Sequence, residues 1–232
     1  MRKSLAAFLP AALVISLASL AKGDIIPPIG LAPGSPYQLI FVTADATVGS
    51  YGTEAPYNTF VNAEAALNPL LPSSTWYAVT GTADSTSTTD ASNAYVNAPN
   101  LLVDGSYLPV YNTQGILVSS NASGGLYSGS ILQPVAYDQY GNSSGGVFVW
   151  TGSNKTGEAF SEISLGHSTV ELGASNLAGS LWMDHAFGNS VTSTQSLYAL
   201  SSVLVSTPEP STLVLARLGI AGLLLAARRR GA

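Results

Sequence analysis

The chain contains no cysteine. That excludes disulfides, zinc–thiolate centres and thiol catalysis together. Basic residues are nearly as scarce. Eight Lys and Arg occur in 232 residues, and Lys155 is the single one between residues 24 and 207, a segment with no arginine at all. Such a segment cannot neutralise a row of phosphates, so nucleic acid is excluded as a partner. All but one of the thirteen Asp and Glu residues fall in the same segment. Anionic headgroups would repel it, so a membrane link has to run through a terminus.

The remaining basic residues sit in two terminal segments with their own logic. Arg2 and Lys3 precede an apolar stretch over residues 5–20, and small residues follow at Ala21 and Gly23. Residues 1–23 thus read as a secretory signal peptide; an uncleaved N-terminal anchor is the alternative. At the other end, residues 206–232 begin with Pro208-Glu209-Pro210 within the motif 208–212. An apolar run over 213–227 follows, then Arg228, Arg229 and Arg230. As a helix that run is about 22 Å long, short for a bilayer core of about 30 Å, and Arg217 interrupts it. The expectation is a weak transmembrane helix. Its three terminal arginines act as a cytoplasmic stop, which leaves the domain outside. A buried C-terminal helix is the alternative, and the arginine cluster speaks against it.

The order Pro-Glu-Pro, Leu/Gly/Ala segment, arginine cluster resembles the PEP-CTERM sorting signal of bacterial surface proteins. The resemblance implies recognition by a membrane-embedded exosortase and delivery to the cell surface or extracellular matrix. It also implies an association with exopolysaccharide-producing bacteria.

Residues 24–205 then form the ectodomain, long enough for one domain with a sizeable core. "YQLIFVT" and "TWYAVT" read as strands. Between them, Phe60, Ala63, Leu67 and Leu70 fall at helical spacing, and Pro69 ends the helix near Leu67. The runs "YLPVY", "GILVS", "ILQPVAY", "GVFVW", "STVEL" and "SLYALSSVLV" read as further short strands between Gly/Asn/Asp turns. The expected class is α+β, β-rich, a single domain with one early amphipathic helix; Ser/Gly-rich stretches are candidates for disorder. An early helix, a Trp-containing strand, "VFVWTG" and a terminal "SLYALSSVLV" together resemble the C-type-lectin-like fold in its bacterial extracellular variants. Two departures limit what carries over. The cysteines are missing, and no Glu-Pro-Asn or Trp-Asn-Asp triplet supplies calcium and sugar ligands.

Several side chains remain as site candidates. Asp84, Asp90 and Asn93, or Asp138 with Asn142 and Glu158, are oxygen-rich sets of the kind calcium takes, though no EF-hand loop is present. Solvated acidic loops are the alternative. Otherwise no cofactor is expected. Glu158 and Glu162, at i and i+4, would make a glycosidase-like acid pair if helical. A Ser/His/acid set would have to draw on His167 or on Asp184 with His185, but no Gly-x-Ser-x-Gly elbow singles out a serine. Trp182 is the candidate sugar platform, while Trp76 and Trp150 lie in apolar strands and read as core. The expectation is a non-enzymatic structural or adhesive protein, with extracellular polysaccharide as its prospective partner. A surface glycan hydrolase is the alternative.

Overall fold

A computed structural model of the chain describes residues 25–28, 30–82, 92–121 and 124–207. The segment read as a signal peptide, the Pro-Glu-Pro motif and the apolar tail lie outside these residues. Among the described residues no helix is long and apolar enough to cross a membrane.

In chain order the elements are β1 (Pro36–Val42), β2 (Thr47–Val48), α1 (Glu54–Ala66), β3 (Trp76–Ala78), α2 (Ala94–Asn97), β4 (Leu102–Val103), β5 (Ser106–Tyr107), β6 (Val110–Asn112), β7 (Leu117–Ser119), β8 (Phe148–Trp150), β9 (Thr169–Ala174), β10 (Ala186–Ser190), β11 (Thr194–Gln195), β12 (Tyr198–Ser201) and β13 (Leu204–Val205). The class is α+β and β-rich, with α1 the one helix of more than a turn among them.

β1 is the centre of the main sheet, whose order is β3-β12-β1-β6-β7, with β13 also on β1. It pairs antiparallel with β12 and parallel with β6. Its sequence explains the position. Tyr37, Leu39 and Phe41 enter one apolar cluster while Ile40 and Val42 enter another on the opposite face. A strand apolar on both sides needs cover on both sides. α1 supplies cover on the first face through Tyr57, Val61 and Ala65. Val79, Val118, Trp182 and Met183 are among the cover on the second.

The buried stripe of α1 differs from the expected one. Leu67 and Leu70 are exposed, because the helix ends at Ala66. Two asparagines on its flank seal the outer edge of β3. Asn62 accepts from the Trp76 amide at 3.0 Å and donates to the Trp76 carbonyl at 2.6 Å. Asn58 accepts from the Ala78 amide at 2.8 Å. An edge paired in this way offers no template to another chain. The run "ILQPVAY" is not a strand. Pro134 lacks an amide proton, Ala136 sits at φ 49°, and the run makes only isolated bridges from Ile131 and Tyr137.

The second sheet, β10-β9-β8, packs its Trp150, Val170 and Leu172 into the same cluster as α1. Its other face meets the segment around Trp182. A Cβ on Gly173 would collide with the Trp182 carbonyl, so glycine is required there by close approach.

Candidate functional site

The structure disperses the residues that sequence reasoning grouped. Asp84 and Asp90 lie outside the described residues; their segment leaves at Thr82 and returns at Ser92, where the Thr82 amide donates to the Ser92 carbonyl at 3.0 Å. The Asn93 side-chain oxygen is taken by the Ala159 amide at 2.8 Å. Asp138 and Asn142 do come together, but as a turn. Asp138 Oδ1 accepts from the amides of Tyr140 and Asn142 at 2.8 and 2.9 Å. The Asn142 side chain donates to Oδ2 at 3.4 Å. A carboxylate turned toward its own backbone amides is poorly placed for calcium. Glu158 is held in a separate turn by Asn154 Nδ2 at 2.9 Å. Among the described residues no group of three His, Cys, Asp or Glu side chains converges to hold a metal.

Glu158 and Glu162 are both exposed and neither is helical. The i, i+4 spacing therefore does not place them on one helix face. Neither imidazole is hydrogen-bonded to a serine or threonine hydroxyl among the described residues. His167 Nε2 is buried without a partner, and the His185 ring stacks on Phe148 at 5.8 Å and 24°. All three tryptophans are buried. Trp150 Nε1 donates to the Thr47 carbonyl at 2.8 Å. Trp182 packs on Tyr198 with centroids 5.3 Å apart, so its ring is out of reach of a sugar.

Two carboxyls that the sequence did not single out are the perturbed ones. Glu54 opens α1, and its Oε2 accepts from Thr80 Oγ1 at 2.6 Å and Asn97 Nδ2 at 3.0 Å. Its Oε1 is sealed from solvent with no hydrogen-bond partner. A helix N-terminus favours the ionised form, yet burial outweighs it and the neighbouring hydroxyls, and the pKa rises to about 8. Glu54 is therefore largely protonated at neutral pH. Glu171, in the middle of β9, is 1% exposed, and both its carboxyl oxygens lack partners. Burial first, and then the Asp184 carboxylate, push its pKa up to about 7. Position alone could not have marked Glu171: a strand period of two puts it opposite Val170 and Leu172, on a face that an uncovered sheet would leave to water.

The described fold closes at its C-terminal strand. The Ser206 carbonyl accepts from the Gly34 amide at 2.8 Å, and the Ser206 amide donates to the Ser35 carbonyl at 2.9 Å. Everything beyond Thr207 follows directly on that pairing.

Residues 206–230 match the PEP-CTERM protein-sorting motif. The PEP-CTERM tail thus starts one residue after β13 ends. Pro208, Glu209 and Pro210, and the arginines Arg228, Arg229 and Arg230, all fall within the match. It implies export, a membrane-anchored C-terminal signal, and an exosortase as processing partner. A comparison with curated proteins finds no match.

Proposed function

We propose that this is an exosortase-sorted surface or extracellular-matrix protein. Its ectodomain, residues 24–205, has a C-type-lectin-like shape and a non-enzymatic, structural or adhesive role, with extracellular polysaccharide as its contact. The observation that carries the reading is the seamless join: the sorting motif begins at residue 206, directly after the last paired strand. A folded domain is coupled to an address with no intervening module.

Three features support the finer parts. The helix α1 precedes the Trp76 strand β3, the Trp150 strand β8 feeds the same core, and the described chain ends in β12 and β13, the order on which the lectin-like resemblance rests. Neutral hydrogen-bonding side chains dominate the ectodomain, which suits contact with uncharged polymer rather than with phosphate. Trp182 being buried, the aromatic rings exposed to a sugar include Phe148, 45% exposed with His185 beside it, and Tyr51 and Tyr95, at 44% and 41%.

Glu171 and Asp184, close enough that the Asp184 charge raises the Glu171 pKa, are a second acidic pair for the hydrolase alternative. Glu171 is too deeply covered to reach a glycosidic bond without rearrangement.

The test is intact mass and fractionation of the protein from its own host. A product lacking residues 1 to about 21 and the residues beyond the Pro-Glu-Pro, recovered outside the inner membrane, is the expected result. A full-length chain held in the inner membrane would overturn the sorting reading. Co-sedimentation with the host exopolysaccharide, weakened by Phe148→Ala, tests the adhesive part.

A further inference from the structure

The N-terminal end of β1 is where the chain leaves the fold. Pro36 and Tyr37 pair there with Val205 and Leu204. The β4–β5 hairpin is tied to the same end. Gln38 Oε1 accepts from the Leu101 amide at 3.1 Å and from Asn100 Nδ2 at 2.9 Å, and its Nε2 donates to the Ser201 carbonyl at 2.8 Å. β6 runs parallel to β1 with Val110 opposite Gln38. The residues preceding Val110 therefore lie toward Pro36 and beyond it, away from Val42. The hairpin turns through Asp104 and Gly105 at φ 50° and 77°, the left-handed pair of a tight two-residue turn. Its apolar residues face solvent.

Leu102 is 56% and Val103 38% exposed, and at the same end Val203 is 40% and Val205 57% exposed. The segments that build this end, residues 34–38, 99–110 and 201–207, contain one charged side chain, Asp104. Elsewhere the described domain carries its carboxylates.

We propose that this end is a membrane-contact surface. The β4–β5 hairpin tip, with Val203 and Val205, rests on the outer leaflet of the bilayer that holds the tail, before the chain is released. The inference depends on the anchored stage of the function proposed above. Chain length restricts the occupant. The tail runs from Ser206 to the start of the apolar segment at Leu213, a leash of at most about 25 Å when fully extended at roughly 3.3–3.6 Å per residue. The domain end that bears Ser206 is thus held within that distance of the bilayer. Charge then sets which surface faces down. Anionic headgroups repel a carboxylate-bearing face, and this end offers four exposed apolar side chains against one aspartate. The repulsion expected of the domain as a whole is weakest here.

A chain without cysteine makes the contact directly testable. Val103→Cys and Ser143→Cys each give one labelling site for an environment-sensitive fluorophore. Ser143 bridges Tyr137, whose carbonyl accepts from the Val42 amide, so it marks the opposite end of β1. The full-length chain is reconstituted into phosphatidylethanolamine–phosphatidylglycerol vesicles and floated. The expected result is flotation, with the label at 103 shifted to the blue and quenched by nitroxide-bearing lipid, and the label at 143 unaffected. Leu102→Asp should abolish both signals at 103 while flotation persists.

A chain that floats with a water-like label at 103 overturns the contact alone. A blue shift that appears equally in detergent and grows with protein concentration reports self-association and overturns it too. A chain that does not float overturns the anchored stage itself.

Discussion

Replacing Glu54 by glutamine should change how stability depends on pH more than it changes stability itself. In the folded chain this carboxyl titrates at about 8, against 4.5 for an unperturbed glutamate. The folded state therefore holds the proton more tightly than the unfolded state. The stabilisation from that proton is complete below about pH 4.5 and is lost as pH rises through about 8. At about 1.4 kcal/mol per pH unit the whole gap is on the order of 5 kcal/mol, and the window from pH 5 to pH 8 spans about 3 kcal/mol of it. Glutamine keeps the acceptor for Thr80 and Asn97 and cannot ionise. Its amide nitrogen takes the place of the unpartnered Oε1, at a cost of up to about 1 kcal/mol at any pH.

Urea denaturation of residues 24–207 at pH 5 and pH 8 reads the effect through the buried tryptophans. Glu54→Gln should equal or slightly trail the wild type at pH 5 and exceed it at pH 8. The change in the difference between the two proteins should be about 3 kcal/mol. Because every other titrating group is common to both, that change isolates Glu54. A variant whose pH slope parallels that of the wild type would refute the claim that this carboxyl is buried in its protonated form.

Glu171→Gln should show the same behaviour on a smaller scale, with a smaller loss by the wild type between pH 5 and pH 8, because its pKa rises only to about 7. Asp184→Asn removes the like charge beside Glu171, so the same denaturation series should show a shallower slope. Gly173→Ala forces a Cβ into the Trp182 carbonyl; a loss of about 3 kcal/mol or more, or failure to fold, is expected in a thermal melt. Asn62→Ala strips both hydrogen bonds from the Trp76 backbone at the edge of β3, and a midpoint shift equivalent to about 1–3 kcal/mol checks it.

The parts of the fold that were legible in sequence are those where side-chain chemistry and burial coincide. "YQLIFVT" is apolar on both faces, and β1 lies inside the main sheet with every residue after Pro36 buried. "SLYALSSVLV" likewise became β12 and β13. The helix was legible as an element but not in its orientation. Counting Leu67 and Leu70 as core weighted the leucines, whereas the buried stripe is Tyr57, Val61, Glu64 and Ala65, diluted by alanine and by an acid. Glu64 is buried because Gln139 Nε2 donates to it at 2.8 Å, a partner 75 residues away that no local period reveals. β10 was missed for the opposite reason: "AFGNS" has little apolar pattern and is a strand because β9 pairs with it. Site candidates chosen for chemical type at short spacing, such as Asp138 with Asn142, turned out to close their own loops. The perturbed carboxyls Glu54 and Glu171 owe their state to long-range cover, which a linear scan does not carry.

The topology ties the domain to its tail more closely than the composition does. β1 emerges from the ribosome before every other strand, yet its antiparallel neighbours, β12 and β13, are the last to be made. Until they arrive, a strand apolar on both faces has an unpaired edge, the condition under which chains associate wrongly. Local contacts cannot relieve it, because the helix covers one face and leaves the edge bare. The residues that complete the sheet end at Val205, and the sorting motif starts at 206. Completion of the fold and presentation of the address therefore depend on the same short stretch of chain.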